Sequence, residues 1–292
     1  MILGTVVAGG LVTMVVFGQP PQQPQGLAID NVATNLYRVT GAGGNTAVFI
    51  RDDGVLLVDT KLANNGQAIL DQVRTVTDKP ITHIINTHTH GDHNGSNMFF
   101  PASVEIVTQE NTAEHMRATE AFQAADGAVG LPDRTFTDRM SLFRGDEQVD
   151  LYYFGAGHTD GDAFVVFRDA RVMHSGDIFA TRGLPLLDVN NGGSGVAIGE
   201  TLRKAAEEID DVDRVITGHT DTLTWQDFVD YGEFNTMFLE YARTAREAGK
   251  TAEQAAMEFT LPAKFAGYNI AGRGGRGGPA GNITIIYNEL AQ

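Results

Sequence analysis

The apolar run Ile81 to Ile85 breaks into THTHGDHNG, residues 87 to 95, which places three of the chain's eight histidines and an aspartate within six positions. Such a segment is either a solvated polar loop or a holder of something that imidazole and carboxylate bind well. His88 and His90 stand two apart at the end of a predicted strand, so in extended backbone their side chains point the same way. Gly91 lets the chain turn, and Asp92 and His93 then aim elsewhere. One loop can thus offer ligands to two neighbouring metal ions. Imidazole and carboxylate bind zinc and its neighbours when no thiolate is at hand. The chain has no cysteine, which excludes a disulfide framework, a thiolate metal site and a cysteine nucleophile.

The surrounding pattern predicts where that loop sits. NLYRVTG and NTAVFIRDDGVLLVDT are β-branched runs, with Asp53-Gly54 as a hairpin turn between two of them. NNGQAILDQVRTVTD predicts a helix with Ile69, Val73 and Val76 on one face. The strand ITHIINT, the histidine loop, the strand VEIVTQ and a helix capped at Asn111 follow. Residues 124 to 139 read as a loop. The second half starts again with strands at QVDLYYFGAG, DAFVVFRD and ARVMHSGD. A helix at AIGETLRKAAEEID, a strand at RVITGHT and helices near 225–248, 251–259 and 284–291 complete it. Two halves, each with strands first and helices after, predict two packed sheets with helices outside, in one domain over 27–292.

Three more residues occupy strand ends. His158 closes YYFGAGH, Asp177 closes RVMHSGD and His219 closes RVITGH, each after a glycine that permits a tight turn. Alone, any one would be a plain turn residue. Together, five of eight histidines lie at strand ends with two matching aspartates.

The set His88-x-His90-x-Asp92-His93, then His158, Asp177 and His219, resembles the ligand set of the metallo-β-lactamase-fold hydrolase superfamily. The resemblance runs from about Tyr37 to His219. It implies an α/β (α+β) fold, the four-layer αββα sandwich, with two zinc ions at one edge. It assigns His88, His90 and His158 to the first metal and Asp92, His93 and His219 to the second, with Asp177 bridging. Asp59, closing VLLVDT, is similar to the aspartate that supports the histidine loop from behind. The implied chemistry is hydrolysis by a hydroxide held between two zinc ions, because zinc lowers the pKa of bound water to about 7. Asp92 is the candidate for relaying the proton.

Departures from relatives narrow the substrate. Lactamases of this kind carry cysteine or serine where Asp177 stands, so β-lactamase proper is an alternative to a small ester, lactone, thioester or amide. The glyoxalase II pattern would place a histidine at Asp162. Iron-dependent redox members replace the second histidine with glutamate, and His90 is intact. LPLLDVNNGGS (184–194) resembles a bacterial branch described as β-lactamase-like or cyclase-like. A non-catalytic metal-binding protein and an iron or manganese redox enzyme are the other readings. A Ser175-based triad with His174 and Asp177 has only adjacency in sequence behind it.

Arg182 and Asn190, with the loop to Ser194, are candidate substrate contacts. Phe136 and Met140 either wall the cleft or pack in the core, and Arg273 and Arg276 lie in a Gly-rich segment that reads as a surface loop or, alternatively, a lid. His83 reads as a core or supporting residue, His115 as a surface residue and His174 as a supporting one. The formal net charge of −16 repels phosphate backbones, so a small molecule and no nucleic acid is the expected partner. Residues 1–26 join an uncharged apolar run to QPPQQPQG, which suits an export signal cleaved near Gln19 or a membrane anchor. That places the protein in the periplasm or outside the cell, and in the cytoplasm if the segment is no signal.

Overall fold

A strand whose two faces are both apolar belongs inside a layered structure, and Val55–Val58 (VLLV) is one, with all four residues buried. The computed structural model describes residues 26–124, 127–272 and 278–292. The expected N-terminal signal or anchor lies outside them except for Gly26, as do Arg273 and Arg276 of the Gly-rich segment. Among the described residues, no helix is long and apolar enough to cross a membrane.

The first sheet runs in sequence order: β1 (Ala28–Ala33), β2 (Leu36–Thr40), β3 (Thr46–Ile50), β4 (Val55–Val58), β5 (Ile81–Ile85), β6 (Glu105–Gln109) and β7 (Arg134–Phe136). β1 to β4 are an antiparallel meander, and β4 to β7 are parallel. The second sheet is β8 (Arg139–Leu142), β9 (Val149–Tyr152), β10 (Phe164–Phe167), β11 (Val172–His174), β12 (Arg214–Ile216) and β13 (Leu223–Thr224). Again a meander comes first, and β11 pairs with β12 in parallel. The helices are α1 (Gly66–Arg74), α2 (Gly91–Asn94), α3 (Glu110–Ala118), α4 (Glu120–Gln123), α5 (Ile198–Glu208), α6 (Trp225–Glu247), α7 (Ala252–Glu258) and α8 (Pro279–Glu289).

Strand alternation sorts the apolar residues into three layers of core. Phe49, Leu56, Val58 and Ile85 face Leu151, Val165, Phe167 and Ile216 between the sheets, where Phe49 and Phe167 meet at 5.2 Å between ring centroids. The other faces of the same strands, through Val48, Leu57 and Ile84, pack on Ile69 and Val73 of α1. Beyond the second sheet, Phe164, Val166 and Met173 pack on α5, α6 and α8. This is the expected αββα order. Every parallel strand ends at the same edge of its sheet, which is what collects the strand-end residues.

Local readings shift in three places. Residues 124–139 contain β7 and the start of β8, and Phe136 and Met140 pack in the core between the sheets. Of the two readings the core holds: Phe136 on β7 and Met140 on β8 both turn toward the space between the sheets. The cap of α3 is Gln109, whose side chain accepts from the backbone N–H of Asn111. α8 begins at Pro279, five residues before the expected start at 284, where proline's missing N–H costs nothing.

Candidate metal centre

The turn after β5 is brief. His90 is the extended residue before α2, so Asp92 and His93 leave the first helical turn in a new direction while His88 and His90 remain on the strand's line. His158, Asp177 and His219 arrive from the ends of β9, β11 and β12. Donor atoms of all seven residues fall into overlapping groups, each within 4.8 Å: His88, His90 and His158; His88, His93 and Asp177; Asp92, His93 and His219. In the first, His90 Nδ1 lies 3.2 Å from His88 Nε2 and 2.9 Å from His158 Nε2. At the other end, His219 Nε2 is 3.4 Å from His93 Nε2 and 3.3 Å from Asp92 Oδ2. Asp177 stands between them, its carboxylate 3.0 Å from His219, 3.2 Å from His93 and 4.0 Å from His158.

The outward ring nitrogens decide what the inward ones can do. His93 Nδ1 meets Asp59 Oδ2 at 2.7 Å, and His90 Nε2 meets Asp188 Oδ2 at 2.7 Å. His158 Nδ1 meets the Leu186 carbonyl at 2.5 Å, and His88 Nδ1 meets Thr87 Oγ1 at 2.9 Å. The Thr87 hydroxyl donates to Asp59 Oδ2, so it accepts from His88. Each of these four rings therefore carries a proton on the outward nitrogen, which leaves the inward nitrogen as the one that can serve a metal.

Those converging nitrogens fit metal ions. Nitrogen–nitrogen edges of a tetrahedron with metal–nitrogen bonds of about 2.0–2.1 Å are about 3.3 Å long, close to the spacings above. Asp177 Oδ1 is buried and accepts no well-aligned hydrogen bond, as suits an oxygen whose partner is a cation. A Cβ on Gly218 would overlap the Asp177 carboxylate, so glycine before His219 is a requirement of close approach and not of the turn alone.

Electrostatics separate the two ends. Burial, together with neighbouring His93, His158 and His90, pulls the His88 pKa well below the usual histidine range. Burial also opposes charge on His93, but Asp177 and Asp59 outweigh it and raise its pKa well above that range. Asp177 is pushed up by burial and held well below the usual carboxylate range by His93 and His219, which prevail. One end is thus three imidazoles and the other is rich in carboxylate.

Asp59 reaches its place through a left-handed backbone, φ 65°, rare for a residue with a Cβ. It is fully buried and accepts from the Thr87 N–H at 2.8 Å, bracing the loop as well as the His93 ring. Asp162, where the glyoxalase pattern has histidine, braces the His158 turn by accepting from Thr159 N and Oγ1 at 2.9 and 2.6 Å. Burial pushes its carboxyl up to about 7. Sequence reading missed Asp188, Thr87 and Asn45. Asn45 donates through Nδ2 to the Thr217 and Thr220 carbonyls at 2.9 and 2.7 Å, bracketing His219. A short polar residue in a loop carries no sign of such a task; Asp188 is 98 residues from the ring it holds.

A cavity of about 880 Å³ opens over the donors, lined by His90, Asp92, His158, Asp177 and His219 with Leu186, Asp188 and Asn190. Asn190 is where expected. Arg182 is not among that lining: it pairs with Asp227 at 3.3 Å. The cause is local pairing, in which the Arg182 carbonyl accepts from Asn269 N–H and Leu184 N–H donates to Asn269, turning the side chain toward the start of α6. His83 joins Glu105 at 3.3 Å, and His115 joins Asp160 at 2.7 Å. Neither is among the clustered donors.

His174 is buried beside the centre, its Nε2–H donating to the Asn45 carbonyl at 3.1 Å while Nδ1 accepts from the Gly176 N–H. It has no place for a second proton, and burial pulls its pKa down to about 4. The unfolded chain takes up that proton near pH 6.5, so stability falls as pH drops from about 6.5 through about 4. Between pH 7 and 5 the loss is expected to be roughly 2 kcal/mol. Urea unfolding of the metal-free protein at both pH values should show it, and His174→Gln should remove it. Equal pH dependence in both proteins would refute this assignment.

Residues 39–219 match the family model of the metallo-beta-lactamase superfamily. The 2,4-dinitroanisole O-demethylase subunit alpha of Nocardioides sp. (strain JS1661) is 27% identical over 161 residues, 53% of this chain and 47% of that protein. The uncharacterized protein YobT of Bacillus subtilis (strain 168) is 29% identical over 145 residues, 45% of this chain and 60% of that protein. The chain therefore spans about half the length of the curated relatives it matches. Among solved structures, the inverting sec-alkylsulfatase Pisa1 from Pseudomonas sp. is similar with a TM-score of 0.76 at 16% identity, over 90% of this chain and 50% of that one. The DIM-1 metallo-beta-lactamase is similar with a TM-score of 0.61 at 16% identity, over 74% of this chain and 99% of that one. At these identities the likeness speaks for the fold alone.

Proposed function

The chain belongs to the metallo-beta-lactamase superfamily, and from that premise we propose that it is a hydrolase that holds two zinc ions and cleaves a small ester, lactone, thioester or amide. The observation that carries this is the complete donor set under an open cavity, with four ring protons directed outward. His88, His90 and His158 would hold one ion and Asp92, His93 and His219 the other, with the Asp177 carboxylate within reach of both groups. Bound zinc supplies Lewis acidity toward a carbonyl oxygen and lowers the pKa of water to about 7.

The chain's own side chains do the rest. Asp59, Asp188, Thr87 and the Leu186 carbonyl keep the imidazoles oriented, and His93, charged in the metal-free protein, gives up its inward proton when a metal binds. Asp92, with a side chain 30% exposed against 22% for Asp188 and 5% for Asp177, is the most open of the three carboxylates that line the cavity. It takes the proton from the attacking water and returns it to the leaving group. Asn190, at the cavity wall, can donate to a substrate oxygen. With the N-terminal segment as an export signal, the site of action is the periplasm or the exterior.

Dialysis against a chelator, followed by metal analysis and a panel of chromogenic ester, lactone, thioester and β-lactam substrates, tests the proposal. About two zinc ions per chain are expected, with hydrolysis falling at least about 100-fold on their removal and returning with zinc. Hydrolysis that persists in metal-free protein rejects it. Iron or manganese recovered from protein purified without added metal would favour the redox alternative.

A further inference from the structure

A second cavity, about 790 Å³ in volume, adjoins the first at the metal centre and shares Gly91, Asp92 and His219 with it. Leu62, Met98 and Phe122 are the large apolar side chains of its lining. Leu62 keeps 40% of its surface exposed, although its backbone is firmly held. Its N–H donates to the Ala42 carbonyl at 3.1 Å, and its carbonyl accepts from Ser96 Oγ at 2.6 Å and Asn65 Nδ2 at 3.0 Å. An apolar side chain fixed in water by three hydrogen bonds is a preformed contact surface. Val189, 54% exposed, stands in the chain between Asp188 and Asn190, which line the other cavity. Neither cavity has a lysine or arginine among its described lining residues, and the chain as a whole carries a net charge of −16.

We infer that the substrate is an uncharged acyl compound with groups on both sides of the scissile bond, its apolar chain lying in the cavity of Leu62, Met98 and Phe122. This rests on the hydrolase reading and adds the substrate class to it. Reaction at the shared centre, over Asp92 and His219, places one product in each cavity. A substrate with an anionic group beside the scissile bond, as in β-lactam antibiotics, finds no cation to meet it among the described lining residues. It meets the Asp188 carboxylate in one cavity and an apolar wall in the other.

Calorimetric binding of alkyl hydroxamates to the zinc-loaded protein tests this without requiring turnover, since the head group is constant and only the chain varies. From acetohydroxamate to octanohydroxamate, affinity is expected to rise at least about twofold per methylene, against roughly fourfold for full burial. Leu62→Ser with Met98→Ala should flatten that rise. Suberic acid monohydroxamate, of the same length but ending in a carboxylate, should bind at least about tenfold more weakly than octanohydroxamate. A flat chain-length series, a rise unchanged in the double variant, or equal binding of the carboxylate would overturn the inference while leaving the hydrolase proposal standing. Failure of every hydroxamate to bind would overturn both.

Discussion

Replacing Asp177 with asparagine is expected to lower hydrolysis by roughly 10³-fold and to reduce bound zinc from about two ions per chain toward one. The residue joins both donor groups, at 3.0 and 3.2 Å from His219 and His93 and 4.0 Å from His158. An amide keeps the shape but loses the negative charge. It also turns an N–H donor toward imidazole lone pairs that a metal should occupy. In the metal-free protein the loss is of another kind. His93 would then keep only Asp59 at 2.7 Å and the more distant Asp92 at 3.8 Å to offset its charge, in a site where burial already opposes that charge. Metal content per chain and turnover, measured together, check the expectation. An asparagine variant that retains both ions and its rate would remove Asp177 from the bridging role.

The second large effect comes from a residue without a side chain. Adding a methyl group at Gly44 should lower zinc affinity and turnover by roughly 100-fold, because a misplacement of about 1 Å near the reacting centre can cost that much. A Cβ there would overlap the His93 imidazole, whose ring atoms are its three nearest neighbours. The backbone cannot retreat easily. Gly44 N–H donates to the Asp92 carbonyl at 3.0 Å, the Gly44 carbonyl accepts from Lys61 Nζ at 2.7 Å, and Asn45 N–H donates to the Gly218 carbonyl at 2.7 Å. The ring must move instead, and its bond to Asp59 goes with it. Gly267→Ala, where a Cβ meets nothing within 4 Å, serves as the control. Wild-type zinc affinity in Gly44→Ala would show that the His93 position is not set from this side.

Lys61 adds a detail that the donor pattern did not suggest. Burial pulls its pKa down to about 7 although Asp59 and Asp92 favour its charge. It ties β2, at Val39, and the β2–β3 loop, at Gly44, to the strand-end turn that carries Asp59. Its left-handed backbone, φ 64°, follows that of Asp59 two residues earlier. Backbone strain of this kind is held in place by tertiary contacts, and no periodicity announces it.

The layered fold was readable because its cause is local. Alternating or doubly apolar runs such as TAVFI and VLLV state which faces are buried, and the change from meander to helix-linked strand repeats in each half. The pattern leaves Phe136 open between core and cleft wall because β7 is three residues long and sits among residues that also suit a loop. Its pairing with β6 overrides that propensity. Arg182 was misread for a related reason. Nearness to Asp177 in sequence implied nearness in space, while pairing with Asn269 carried the side chain away.

Residue type, spacing and a preceding glycine were enough to mark His88, His90, Asp92, His93, His158, Asp177 and His219, since strand ends and tight turns are short-range matters. What only the folded chain decides is the state of those groups. The proton on His93 is placed by Asp59, 34 residues away, and that on His90 by Asp188, 98 residues away. The two cavities take their walls from segments that meet only when both sheets have closed. Charge, tautomer and shape depend on distance through space, and a sequence records distance along the chain.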